Sequence, residues 1–249
     1  MNNVTTSFDL VIVIPCYNEE NRLPITEFLH FLSQQKNTLL CFVNDGSTDK
    51  TNSVINQLKE VHPTTVHLLS LSENKGKAGA VKEGINYCST HFNYQKTAYL
   101  DADLATSLEE CYEISTKIKD EILVAFGSRI QKIDNHISRK KFRFLVGRFI
   151  ATIISRQLQL KVYDTQCGCK IFDKETANLV FKENFISKWL FDVEIFHRLI
   201  HEYGQEKMSS ICNEIPLKKW TDTDDSSVKM SYFFKIWFDL LAIKKRYKK

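Results

Sequence analysis

The chain contains no run of about 18 uncharged apolar residues, the length a helix needs to cross a bilayer. Its start, Met1 to Asp9, is polar and lacks the basic and apolar segments of a secretory leader, so export is not expected. A disulfide framework is excluded as well, because seven cysteines, an odd number, are scattered through 249 residues. Cys167 and Cys169 flank one glycine, but no second Cys or His pair stands nearby at a zinc-binding spacing. A reducing, cytoplasmic location is therefore expected. The GxxxxGK[ST] spacing of a P-loop is missing, and no repeat or low-complexity linker divides the chain.

The composition is that of a globular protein, 43% hydrophobic and 26% charged, which leaves little room for dominant disorder. The formal charge of +4 is unevenly spread, with basic residues gathered in Arg139 to Arg156 and in Lys244 to Lys249. Such local patches suit an anionic surface, and no nucleic-acid partner is expected.

Leu10 to Ile14, Leu39 to Val43, Val66 to Ser70, Thr97 to Leu100 and Ile122 to Phe126 have strand length and composition. Helical spacing appears between them, as in Thr51, Val54, Ile55, Leu58 and Val61. This alternation predicts an α/β fold, a mostly parallel central sheet with helices on both faces. Further on, Ser138 to Leu160 reads as a long amphipathic helix, Cys169 to Phe172 as a short strand, and Trp189 to Tyr203 as another helix. We divide the chain into an α/β domain over 1–227 and a basic amphipathic helix over 228–249.

Open parallel sheets bind ligands at the carboxyl ends of their strands, and the chemistry-bearing residues follow the apolar runs closely. Asp101-Ala102-Asp103 comes after Tyr99-Leu100, so two carboxylates leave the sheet together. Such a pair suits a hard divalent cation, Mg²⁺ or Mn²⁺, whose remaining positions go to water or diphosphate oxygens. The same triplet is also compatible with a solvated turn or a helix cap. Asp45, in Val43 to Asp49, can accept hydrogen bonds from a base or ribose, while Ser47, Thr48 or Asp49 can cap the following helix. Asn74 to Gly79 brings glycines, backbone N–H groups and lysines to a helix start, where a diphosphate can rest.

Taken together, Pro15-Cys16-Tyr17-Asn18-Glu19-Glu20, Val43 to Asp49 and Asp101 to Asp103 resemble the PxYNE, VNDGSTD and DxD motifs of family 2 inverting glycosyltransferases with the GT-A (Rossmann-like) fold. The resemblance implies a metal-dependent hexosyltransferase. It places Pro15, Tyr17, Asn18, Glu19, Asp45, Lys77, Asp101 and Ala102 at the nucleoside-diphosphate sugar, and Asp103 with Asp101 at the metal. A narrower resemblance, to dolichyl-phosphate β-glucosyltransferases and bacterial polyprenyl-phosphate relatives, rests on Asn74 to Gly84, Asp101 to Thr106, Gly127 to Arg129, Asp164 to Lys170, Phe191 to Glu194 and Ser226 to Tyr247. Ala105 stands where mannosyl-transferring relatives carry glutamine, which points to UDP-glucose as donor. Two departures are the missing transmembrane helix and Cys169, which replaces the usual phenylalanine.

The acceptor implied is a polyprenyl phosphate, met by Arg129, Arg139, Arg143 and Gln166. The helix from Ser138 to Leu160 combines basic and apolar residues in a manner suited to a lipid surface, and equally to an ordinary core helix. The C-terminal helix carries Phe233, Phe234, Trp237, Leu240 and Leu241, then basic residues; it fits the inner membrane face, closure of the core or a homodimer interface. If the nucleophile were instead a sugar hydroxyl, a base would be needed, and Asp192 then Glu194 are the candidates, with helix capping as their other reading. A third reading is a nucleotide-sugar-binding protein without turnover.

Overall fold

The structure, a computed structural model, describes residues 7–138, 141–221 and 230–247. Arg139, Met1 to Thr6 and the first and last two residues of the 228–249 segment lie outside the described residues, as does the side chain of Arg143. In chain order the first half contains β1 (Ser7–Cys16), α1 (Ile25–Gln34), β2 (Thr38–Asn44), α2 (Thr51–Val61), β3 (Val66–Ser70), α3 (Gly76–His91), β4 (Asn93–Leu100), α4 (Leu108–Ser115) and β5 (Val124–Ser128). Then follow β6 (His136–Ser138), α5 (Lys141–Leu158), β7 (Cys169–Asp173), α6 (Lys174–Val180), α7 (Phe191–Tyr203), α8 (Met208–Ile211), β8 (Cys212–Pro216), β9 (Lys219–Thr221) and α9 (Met230–Tyr247).

The strands run β3-β2-β1-β4-β7-β5-β8, and β6 pairs separately with β9. All neighbours in the large sheet are parallel except β7, which is antiparallel to both β4 and β5. The expected mostly parallel sheet is present. Strand β1 shows why its sequence reads as one apolar run: Leu10, Ile12 and Ile14 enter one core and Val11 and Val13 the other, so both faces are covered. The first core takes Phe28 and Phe31 of α1, Ile55 of α2 and Cys111 of α4. The second takes Ala80 and Val81 of α3 and the apolar faces of α5, α6, α7 and α9. All seven cysteines are unpaired thiols.

Several boundaries differ from the sequence reading. Ser138 belongs to β6 rather than to the long helix, and β8 was not legible because its residues are half-buried and mixed in polarity. Helix α9 buries Ile236, Leu240 and Ile243 while Trp237, Phe238 and Leu241 remain exposed, so one side closes the core and the other faces outward.

His197, on α7, stacks against Tyr247 of α9 at 5.4 Å and lies 3.3 Å from the Gln157 amide of α5. Burial lowers its pKa to about 4. The unfolded imidazole binds a proton near its ordinary value of about 6.5, which the folded protein resists, so this residue favours unfolding as pH falls from about 6.5 to about 4. Urea denaturation at pH 7 and pH 5 is expected to show a smaller acid-induced loss of stability in His197→Phe than in the wild type. Equal losses in the two proteins would contradict this assignment.

Candidate active site

Because β1, β2, β3 and β4 are parallel, the loops leaving their carboxyl ends meet on one edge of the sheet. A cleft of about 720 Å³ opens there, within the range of small-molecule sites. Pro15, Tyr17, Glu19, Asp45, Lys77, Asp101, Ala102 and Asp103 all line it. Asn18 does not. Its backbone is left-handed, with φ 54°, a conformation asparagine tolerates better than most residues. There its N–H donates to Ser47 Oγ at 3.0 Å and its side-chain oxygen accepts from Thr48 N–H at 2.9 Å, which ties the first two loops together.

Asp45 is buried and its N–H donates to the Cys16 carbonyl at 2.8 Å. Its carboxylate accepts from Lys75 N–H at 2.7 Å and so fixes the third loop against the second. Burial raises its pKa in spite of that bond. The helix-start role falls to Asp49, which accepts from Thr51 N–H at 3.0 Å and also from Glu20 N–H at 3.0 Å. Glu19 pairs with Arg22 at 2.7 Å; burial raises its pKa, opposed by that arginine.

Asp101 and Asp103 separate in their surroundings. Asp101 Oδ1 lies 2.5 Å from Lys77 Nζ, and its N–H donates to the Gly168 carbonyl at 3.1 Å. Its carboxylate rests directly on Gly168, where an added Cβ would lie 2.0 Å from Asp101 Oδ2. Any larger residue there would push the Asp101 carboxylate from its seat. Burial works to lower the Lys77 pKa, but Asp101, Asp192 and Asp103 outweigh it and the net shift is upward. Asp103 is exposed on the rim and its Oδ1 accepts from Ala105 N–H at 3.0 Å. The turn is completed by Leu104 in a left-handed conformation, φ 50°, which costs a non-glycine residue about 1–2 kcal/mol.

Of the residues expected at the acceptor, Arg129 and Gln166 are described, and neither lines this cleft. Arg129 directs Nε and Nη2 to Asp164, at 2.6 and 2.8 Å, and its guanidinium lies over Trp220 at 5.2 Å. Burial opposes its charge, and Asp164 more than offsets this, raising its pKa. Gln166 anchors its N–H on Asp164 Oδ1 at 3.2 Å, and its side-chain nitrogen is buried without a hydrogen-bond partner among the described residues. Asp192 lies under the cleft rather than in it: Tyr99 Oη–H and the fully buried Lys170 ammonium both donate to its Oδ1. Glu194 is fully buried and accepts from Arg198 at 3.0 Å, Ile186 N–H at 2.8 Å and Tyr247 Oη–H at 3.0 Å.

Sequence reasoning gave no site role to Arg22, Gly168, Lys188 or Trp189. Arg22, Lys188 and Trp189 line the cleft, and Gly168 supports Asp101 from behind. Lys188 and Trp189 follow no strand, so a search of strand ends passes over them; the one local signal was a tryptophan beside a lysine just before a helix.

Among solved structures, the chain is similar to glucosyl-3-phosphoglycerate synthase from Mycobacterium tuberculosis, crystallised with Mn²⁺, UDP-glucose and phosphoglyceric acid, with TM-score 0.68 at 13% identity over 96% of this chain and 79% of that one. Mannosyl-3-phosphoglycerate synthase from Rubrobacter xylanophilus also reaches TM-score 0.68 at 13% identity, covering 96% of this chain and 73% of its own. At such identity the likeness concerns the fold alone. In sequence, a dolichyl-phosphate beta-glucosyltransferase from Dictyostelium discoideum is 32% identical over 96% of this chain and 74% of its own. The Homo sapiens protein of that name is 29% identical over 96% and 75%. The family model described as glycosyl transferase family 2 matches residues 11–181, a span that runs from β1 past the paired aspartates and Gly168 to the end of α6. That span holds every cleft-lining residue except Lys188 and Trp189, and the chain belongs to glycosyl transferase family 2.

Proposed function

We propose that the protein is an inverting glucosyltransferase that moves glucose from UDP-glucose to a polyprenyl phosphate, dolichyl phosphate among them, at a membrane surface. The observation that carries this reading is the convergence of Asp101, Asp103 and Lys77 in one cleft with Asp45 and Glu19. Relatives over nearly the whole chain bear the name dolichyl-phosphate beta-glucosyltransferase, which supports the acceptor class.

The residues present suit a divalent cation: two carboxylates offer hard oxygens, too few to enclose an ion, so diphosphate and water would complete its shell. Asp101 and Asp103 would hold Mg²⁺ or Mn²⁺, whose charge offsets the negative charge that develops on the departing UDP. Lys77 adds a positive charge in the same cleft, and Asp45 and Glu19, which also line it, would accept hydrogen bonds from the nucleoside.

In the reaction an acceptor phosphate oxygen bonds to the anomeric carbon as the bond from that carbon to UDP breaks. The phosphate is already anionic, so no base has to remove a proton. This agrees with the engagement of both candidate bases: Asp192 faces Lys170 and Tyr99, and Glu194 faces Arg198 and Tyr247. The buried, unpartnered Gln166 amide, in the segment that holds Gly168 against Asp101, supports a role at the acceptor phosphate.

Among the described residues no helix is long and apolar enough to cross a membrane. Exposed Leu145 and Phe149 on α5 adjoin exposed Trp237, Phe238 and Leu241 on α9, with the Phe149 and Trp237 rings 6.4 Å apart. Exposed Lys244, Lys245 and Arg246 follow on α9, a pattern that supports peripheral contact with an anionic bilayer.

Incubation with radiolabelled UDP-glucose, a polyprenyl phosphate and Mn²⁺ is expected to yield an organic-extractable labelled product. Failure across several polyprenyl phosphates, with label passing instead to a glycan hydroxyl, would overturn the acceptor.

A further inference from the structure

One wall of the cleft comes from the segment preceding α7. Lys188 and Trp189 both line the cleft, and Trp189 is 55% exposed, unusual for so large an aromatic in a wall otherwise rich in charge. The Lys188 stem lies on Gly76, where an added Cβ would come within 2.9 Å of its Cδ, and the Lys188 carbonyl accepts from Ala78 N–H at 3.4 Å. Its charge acts on Asp45. Lys188 therefore sits against the Asn74 to Gly79 loop, on the same cleft as Lys77.

This wall is held from behind by the C-terminal helix. Ser187, 2% exposed, donates its hydroxyl to Asp239 Oδ2 of α9 at 2.6 Å. Ser187 Oγ in turn accepts from Trp189 N–H at 3.3 Å and Leu190 N–H at 2.9 Å, so one serine joins α9 to both sides of the turn. A second tie runs through Glu194, which accepts from Ile186 N–H at 2.8 Å and from Tyr247 of α9 at 3.0 Å. The face of α9 that carries Asp239 thus also decides where Lys188 and Trp189 stand.

We propose that Lys188 and Trp189 are donor-binding residues, Lys188 meeting the diphosphate and Trp189 packing against the bound nucleotide sugar, and that Asp239 of α9 is their positioning residue through Ser187. The inference rests on the reading of the cleft as a nucleoside-diphosphate-sugar site. A lysine contact to a diphosphate is charge-assisted, and an exposed indole offers a flat apolar face at small entropic cost.

The test is equilibrium titration of the full chain with UDP-glucose, UDP and uridine in the presence of Mn²⁺, followed by calorimetry and by tryptophan emission. Lys188→Met is expected to weaken UDP and UDP-glucose about tenfold or more while leaving uridine affinity unchanged, which a general loss of structure would not do. Trp189→Phe should abolish the emission change that UDP-glucose causes in the wild type. Asp239→Ala should weaken UDP-glucose several-fold, and Asp239→Asn should restore it, because the amide oxygen can still accept from Ser187. Wild-type affinities in Lys188→Met and in Asp239→Ala, with the wild type binding normally, would overturn this inference alone. A wild type that binds none of the phosphorylated ligands would overturn the nucleotide reading and this inference with it.

Discussion

Asp103→Ala is expected to lower sugar transfer by about 10²–10³-fold, the effect of removing one group that stabilises developing charge in a closed site. Asp103 stands exposed on the rim and its bond with Ala105 N–H is local to its own turn, so the folded state loses little. Surface changes of this kind usually shift stability by less than about 0.5 kcal/mol, and the thermal midpoint should stay close to that of the wild type. Asp101→Asn is expected to differ, because Asp101 also pairs with Lys77 and packs on Gly168, so donor affinity and stability should both suffer. Steady-state transfer assays over a range of Mn²⁺, run beside thermal melts, separate the two. Transfer by Asp103→Ala at the wild-type rate would remove the metal-assisted reading.

Lys170→Met is expected to destabilise the fold by about 3–5 kcal/mol, which for a chain of this size lowers the melting temperature by roughly 6–20 °C. Lys170 is fully buried on β7, and its ammonium donates to Asp192 at the start of α7 and to the Cys167 carbonyl at 2.8 Å. Removing the cation leaves the Asp192 carboxylate buried with Tyr99 as its remaining donor on Oδ1. The cost comes from the uncompensated charge rather than from the net value of the pair, so the double variant Lys170→Met/Asp192→Asn should recover part of the loss. Chemical denaturation of the four proteins completes the cycle. A double variant no more stable than Lys170→Met would contradict the pairing, and so would a near-neutral single change. The same lysine braces Cys167 and thereby Gly168, on which Asp101 rests, so the fraction that remains folded should also show weakened donor binding.

Much of the site was legible because parallel strands of one sheet deliver their carboxyl ends to the same edge. Once Leu10 to Ile14, Leu39 to Val43 and Thr97 to Leu100 are read as such strands, Tyr17, Glu19, Asp45 and Asp103 must come together, and they do. Local pattern cannot say what a side chain on a distant segment will meet. Asp192 and Glu194 looked like available carboxylates at a helix start, yet one faces a lysine on β7 and the other an arginine one turn along α7 with a tyrosine from α9. Asn18 sits in a motif of cleft residues but joins two loops, because its left-handed backbone turns the side chain toward Thr48.

From its residues alone, the chain determined an α/β sheet, the order of the loops on its active edge, and the paired carboxylates there, since these follow from short-range periodicity and from the geometry of parallel strands. The tertiary structure decided the antiparallel insertion of β7, the close seat of Asp101 on Gly168, and the use of Lys188, Trp189 and α9 to complete the cleft. Those features depend on contacts between residues tens of positions apart, and such pairings are selected by packing and buried charge, which leave no period in the sequence.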